Sequence, residues 1–172
     1  MEKYTKLLIV VIVVALTLAA AWFDRTSITP DESSEIVAQN PVAPDVTFTL
    51  LDGGTLKLHS LAGHKVLLHF WASWCAPCRA EFSGLLTRIQ HDPDHPILLA
   101  VSGDVNAEDA KRFLVPYQHD FKTLFENGSV IVADDPHHDI IEGVFQTFQY
   151  PETIVINPDL TMREKIVGTI EK

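Results

Sequence analysis

The tightest constraint on this chain lies between Val66 and Gln90. Val66-Leu67-Leu68-His69-Phe70-Trp71 is a nearly continuous apolar run, the pattern of a strand buried on both faces of a sheet. A few residues on, Trp74-Cys75-Ala76-Pro77-Cys78 opens a segment in which Phe82, Leu85, Leu86 and Ile89 recur at helical spacing. A buried strand running directly into a helix calls for an α/β layer architecture. The two cysteines of the chain, Cys75 and Cys78, sit at that junction. The unpaired N–H groups and dipole of a first helical turn stabilise a thiolate on Cys75. Pro77 suits the same turn, because its missing N–H would have had no partner there.

Three chemistries are open to such a pair. A structural zinc site needs four ligands, and the sequence supplies no second pair at ligand spacing. A purely structural bridge would close too small a loop to remove much chain entropy. The third is dithiol–disulfide exchange, with an attacking thiolate and a resolving thiol within reach of it. The residue pattern favours the third.

The remaining elements follow from periodicity and turn chemistry. Val46 to Leu50 and Thr55 to Leu58 flank the turn Asp52-Gly53-Gly54 and read as a hairpin. Ile97 to Val101 is a second buried strand. Asn106 caps a helix that runs through Phe113 toward Pro116. Val130 to Ala133 is a short strand. Asp139 to Phe148 reads as a helix with Ile140, Ile141, Val144 and Phe148 inward. Thr153 to Ile156 and Met162 to Val167 form a closing hairpin around Asn157-Pro158-Asp159-Leu160. His137-His138 reads as an exposed loop pair rather than a metal site, and Asn127-Gly128-Ser129 as a turn. The expected fold is therefore α/β with a mixed central sheet flanked by helices.

The N-terminus has a different character. Leu7 to Phe23 carries no charge and is preceded by Lys3 and Lys6. Its length reaches the short end of a membrane span, and the lysines orient it with the N-terminus in the cytoplasm. A cleaved signal peptide is the rival, with Ala19-Ala20-Ala21 as the cleavage site. The run continues through the interfacial aromatics Trp22 and Phe23, which favours an anchor over residues 1–23. Residues 24–40 read as a flexible stalk, and 41–172 as the folded domain. The net charge of −10, from 23 acidic against 13 basic residues, argues against nucleic acid as a partner. A hydrophobic fraction of 47% excludes wholesale disorder.

Ala43-Pro44-Asp45, the run Leu61 to Glu81 containing Trp74-Cys75-Ala76-Pro77-Cys78-Arg79-Ala80-Glu81, Val101-Ser102-Gly103-Asp104, and Tyr150-Pro151-Glu152-Thr153 together resemble one family. It is the membrane-anchored, thioredoxin-like thiol:disulfide oxidoreductases of bacteria, of the TlpA, ResA and cytochrome c maturation type. The resemblance covers roughly residues 41 to 168. It implies a thioredoxin-like fold with an N-terminal β-hairpin extension, and a redox-active Cys75–Cys78 disulfide with no cofactor beyond it. It further implies that Cys75 is the exposed nucleophile, Cys78 the resolving thiol and Pro151 a cis proline facing the disulfide. By the same resemblance, members reduce disulfides of extracytoplasmic proteins, apocytochrome c among them. A membrane thiol transporter returns the electrons, and the domain lies in the periplasm, tethered to the inner membrane.

Several residues carry an expectation of their own. Glu81 lies one turn after Cys78 and can exchange protons with a buried thiol; otherwise it is a solvated acid favoured by the helix dipole. Tyr150, beside a cis proline, can offer its backbone to an extended substrate segment. Trp71 reads as core, and Trp74 as shaping the surface around Cys75. Gln149 stands where the family usually has glycine, and His69 where it usually has asparagine. Only Thr169 to Lys172 follow Gly168, where the thioredoxin fold closes with a helix, so one face of the sheet is expected to be under-covered.

Overall fold

The computed structural model describes residues 40–170. The anchor expected over 1–23 and all but the last residue of the expected stalk lie outside these residues. Among the described residues, no helix is long and apolar enough to cross a membrane.

The N-terminal hairpin forms from β1 (Thr47–Leu50) and β2 (Thr55–Lys57), with Asp52 accepting the Gly54 N–H in the turn. Strand β3 (Val66–Trp71) is buried along its whole length, as its apolar run requires. It leads into α1 (Ala76–His91), then β4 (Ile97–Ser102), α2 (Ala107–Asp120), α3 (Lys122–Glu126), β5 (Val130–Asp134), β6 (Glu152–Ile156) and β7 (Met162–Val167). The described residues build one seven-stranded sheet in the order β2-β1-β5-β4-β3-β6-β7. Strands β3, β4 and β5 run parallel, and every other neighbouring pair is antiparallel.

Alternation along β3 divides the core in two. Val66, Leu68 and Phe70 pack with Phe48, Leu58, Ile141 and Ile154 on one face. Leu67 and Trp71 face the other way, toward Cys75, Cys78, Phe82 and Leu86 of the α1 side and Leu114 of α2. Phe82 seals this second layer, its ring 5.2 Å from Trp71, 5.3 Å from Phe113 and 5.0 Å from Tyr117. The apolar stripe on α1 and the buried strand beside it are thus two halves of one core.

Three expectations need correction. Asp139 to Phe148 is not a helix but a chain of widened turns, with Gly143 and Phe145 donating five residues back, to His138 and Ile140. The Asp135 carboxylate takes the N–H groups of Ile140 and Ile141 that would otherwise have started helical turns, and His138 and Gln146 hold positive φ. A side chain at Gly143 would collide with the Asp139 carbonyl, so glycine permits this tight path. Ile141 and Phe145 face the core, whereas Val144 and Phe148 are exposed and Ile140 is half-buried. Second, α2 does not stop near Pro116 but continues to Asp120. Third, the short helix α3 was not expected.

After β7, Thr169 and Ile170 continue without helix. The α1 face beside Ile170 carries an open groove of ≈ 860 Å³ lined by Ala80, Glu81, Gly84 and Arg88.

Candidate active site

Cys75 caps α1. Its backbone is extended, and its Sγ accepts the Cys78 N–H at 3.2 Å. A sulfur held at first-turn N–H groups is where a thiolate gains most from the helix terminus. Cys75 and Cys78 are joined as a disulfide, their Cα atoms 5.3 Å apart. The resemblance implied an exposed Cys75, and this needs correction: Cys75 is 4% exposed and Cys78 0%. The sulfur of Cys75 turns inward, bonded to its partner and accepting a backbone N–H. The order of accessibility remains as expected, with Cys78 the deeper of the two.

The loop ahead of the disulfide is tied down by a residue that had no assigned role. Asp104, nearly fully buried, accepts the Ser73 N–H at 2.9 Å, the Ser73 hydroxyl at 2.7 Å and the Ser102 hydroxyl at 2.8 Å. It thereby fixes the approach to Trp74 and Cys75 onto the end of β4. An acid two residues past the buried serine that ends β4 was the available signal, in Val101-Ser102-Gly103-Asp104.

Trp74 and Tyr150 come together. Trp74 is 65% exposed and stands edge-on to Tyr150, with ring centroids 5.8 Å apart. The Tyr150–Pro151 bond is cis. Glu152, the next residue, pairs with Phe70, so Pro151 lies at the C-terminal edge of β3, the edge from which the cysteine loop leaves. Gly103 makes room for the Tyr150 phenol, since a Cβ there would collide with its hydroxyl. Burial, with the carboxylates of Glu142, Asp135 and Asp104 nearby, pushes the Tyr150 hydroxyl up to about 12.

His138 is less exposed than a free loop residue. Its Nε2 meets the Gly103 carbonyl at 3.0 Å and its Nδ1 the Glu142 carboxylate at 2.8 Å. Both partners accept, so the doubly protonated ring satisfies both, and these bonds raise its pKa. It borders Tyr150 edge-on, while His137 is exposed. Among the described residues, no three His, Cys, Asp or Glu side chains gather as a metal site.

Glu81 is not a solvated acid. Its side chain is 8% exposed, and its Oε2 accepts the Ile170 N–H at 2.9 Å. Burial raises its pKa, and the Ile170 bond opposes the rise. Its other oxygen faces His69, 3.6 Å away. His69 is fully buried, contacts the Thr153 hydroxyl through Nδ1 at 2.8 Å, and is lowered by burial to about 4. A histidine inside an otherwise apolar strand was the sequence signal for this neighbour of the site.

Comparison with known proteins agrees with this geometry. The AhpC/TSA family profile matches residues 40–165. The chain is 26% identical over 139 residues to the thioredoxin-like protein YneN of Bacillus subtilis, covering 79% of this chain and 75% of that one. It is 26% identical over 127 residues to the thiol-disulfide oxidoreductase ResA of Bacillus cereus, covering 73% and 68%. The thioredoxin domain of a thiol-disulfide oxidoreductase from Bacteroides vulgatus superposes with a TM-score of 0.62 at 23% identity, covering 77% of this chain and 91% of that one. With a CxxC disulfide at the start of α1 on a thioredoxin-like sheet, the chain belongs to the AhpC/TSA family as a thiol-disulfide oxidoreductase of the TlpA/ResA type.

Proposed function

We propose that this oxidoreductase works as a reductase of protein disulfides outside the cytoplasm, held at the inner membrane by residues 1–23 and needing no cofactor beyond the Cys75/Cys78 pair. The observation that carries the exchange chemistry is the placement of the two sulfurs: Cys75 at the α1 cap, Cys78 buried one turn in. In the reduced protein, the Cys75 thiolate attacks a substrate disulfide and forms a mixed disulfide. Cys78, once deprotonated with Glu81 as the nearby base, attacks the Cys75 sulfur and frees the substrate as a dithiol. Trp74, Tyr150 and Pro151 form the substrate-facing rim, the Tyr150 backbone pairing with an extended segment. The resemblance to cytochrome c maturation thioredoxins supports apocytochrome c as a substrate and a membrane thiol transporter as electron donor.

The direction is tested by the reduction potential. A reductase should equilibrate near the roughly −270 mV of thioredoxin; a disulfide donor would lie near the roughly −120 mV of a strong oxidant. A value at the oxidising end overturns the reductive reading. Trapping partners in cells on the Cys78→Ser protein identifies the substrates, and recovery of apocytochrome c is the expected result.

A further inference from the structure

His138 holds a backbone conformation that histidine seldom takes, with φ at 59°. A Cβ disfavours this left-handed region, which glycine enters freely. Hydrogen bonds pin the residue there: its N–H donates to the Asp135 carbonyl, and its own carbonyl accepts the Glu142 N–H. The imidazole is thereby placed between two acceptors, the Gly103 carbonyl 3.0 Å from Nε2 and the Glu142 carboxylate 2.8 Å from Nδ1. The ring ties the turn after β5 to the loop after β4, across 35 residues of sequence.

Those two segments wall in Tyr150. Its phenol stands over Gly103, where a Cβ would meet the hydroxyl, and the His138 ring borders it edge-on at 6.4 Å. Only a doubly protonated imidazole donates to both acceptors, because a neutral ring carries a single N–H. The carboxylate is the stronger acceptor, so a neutral ring keeps Nδ1–H on Glu142. Its Nε2 lone pair then faces the Gly103 oxygen, and the two repel. The Gly103 wall of Tyr150 loosens.

The Gly103 carbonyl and then the Glu142 carboxylate raise the ring above its ordinary 6.5. The neighbouring acids are engaged elsewhere: the Asp135 carboxylate accepts the Ile140 and Ile141 N–H groups, and Asp104 accepts from Ser73 and Ser102. Asp134, at the end of β5, is raised by burial. Tyr150, at about 12, stays protonated through neutral pH. His137 and Asp139 flank the ring in sequence and are exposed.

We infer that His138 is a positioning residue for substrate engagement: its protonated ring clamps Gly103 to Glu142 and so holds Tyr150 in place for an extended protein segment, and loss of the proton weakens that engagement. The inference rests on the reading above, in which the Tyr150 backbone pairs with substrate. A small disulfide without a peptide backbone makes no such pairing and escapes the effect.

Stopped-flow mixing of the reduced protein with a synthetic peptide–thiopyridine mixed disulfide tests this. The released thiopyridine reads the half-saturation concentration and the maximal rate separately. Ionisation of the cysteines moves the maximal rate, so the half-saturation concentration is the readout. Between about pH 6 and about pH 9 it should rise roughly tenfold, about what one hydrogen bond to a charged group is worth. Its midpoint should coincide with the His138 titration in NMR of the wild-type protein, above 6.5. Dithiodipyridine, with no peptide backbone, should show no such rise. His138→Gln, whose amide does not titrate, should hold the peptide value near the alkaline value of the wild type at every pH. Glu142→Gln should move the midpoint down by about one unit. A flat wild-type profile, the same rise with dithiodipyridine, a change confined to the maximal rate, or pH dependence retained in His138→Gln overturns the inference. Should His138→Gln fail to fold, the wild-type midpoints decide, and midpoints that differ overturn it. A peptide that saturates no earlier than dithiodipyridine at any pH overturns the Tyr150 pairing on which it rests. A reduced protein that attacks neither disulfide overturns the exchange reading itself, an outcome distinct from a flat profile.

Discussion

Cys75 opens α1 with its sulfur against a first-turn N–H, whereas Cys78 lies within the core beside Phe82. On the proposed mechanism this depth difference sets the order of attack. Cys78→Ser should accumulate covalent adducts through Cys75 that dissolve under added dithiol, and Cys75→Ser should accumulate none; mass spectrometry under non-reducing conditions reads both. Adducts on Cys75→Ser instead would reverse the roles. The buried pair behind them makes stability depend on pH in two opposed senses. His69 titrates at about 4 in the folded protein against 6.5 unfolded, so the unfolded chain binds its proton first as pH falls. Stability should therefore drop between about pH 6.5 and 4, by up to about 3 kcal/mol from this residue. Glu81, raised by burial, works the other way: its contribution is fully present below the unfolded value of 4.5 and is lost as pH rises through the folded pKa. Urea midpoints across this range, compared with those of His69→Gln, should show a shallower acid limb in the variant. An identical slope would mean that His69 is not buried neutral.

Helix α1 joins the fold to the chemistry: one end holds the cysteines and its inward stripe builds the core. Phe82 bridges the two, packed on Trp71 and on Phe113 and Tyr117 of α2. Phe82→Ala should cost about 3–5 kcal/mol in chemical denaturation, through lost transfer energy and the cavity left behind. A loss below 1 kcal/mol would show that the layer collapses around the site. At the start of α2, Asn106 accepts the Glu108 N–H at 3.1 Å. Asn106→Ala should cost about 1 kcal/mol in chemical denaturation. The cap was legible because its chemistry is local: an asparagine ahead of a helical run. The end of α2 was not, because tertiary contacts carry the helix past Pro116. Phe113 and Tyr117, on either side of that proline, both pack on Phe82. The false helix at Asp139 to Phe148 failed for a related reason. Its apolar spacing fits a helix, but the Asp135 carboxylate competes for the first N–H groups, and nothing in the segment's own periodicity reveals it.

For the whole molecule, the parallel central strands β3, β4 and β5 carry the site at their C-terminal ends, where the cysteine loop, Asp104 and Tyr150 converge. The proposed placement outside the cytoplasm depends on residues 1–23. Mass spectrometry of the protein purified from membranes should find the N-terminus intact; a mature chain beginning near Trp22 would overturn the anchor. The strands, the α1 junction and the cysteine pair were all legible in the sequence. Those rest on periodicity, turn residues and spacing, all of which act between near neighbours in the chain. That Glu81 is buried rather than solvated follows from distant neighbours, His69 of β3 and Ile170, and Ile170 lies 89 residues away. The tertiary structure likewise brought His69 to Thr153 across the β3–β6 register, a separation of 84 residues. Burial and hydrogen-bond pairing of a polar group depend on what the rest of the chain places around it, and no local pattern encodes that.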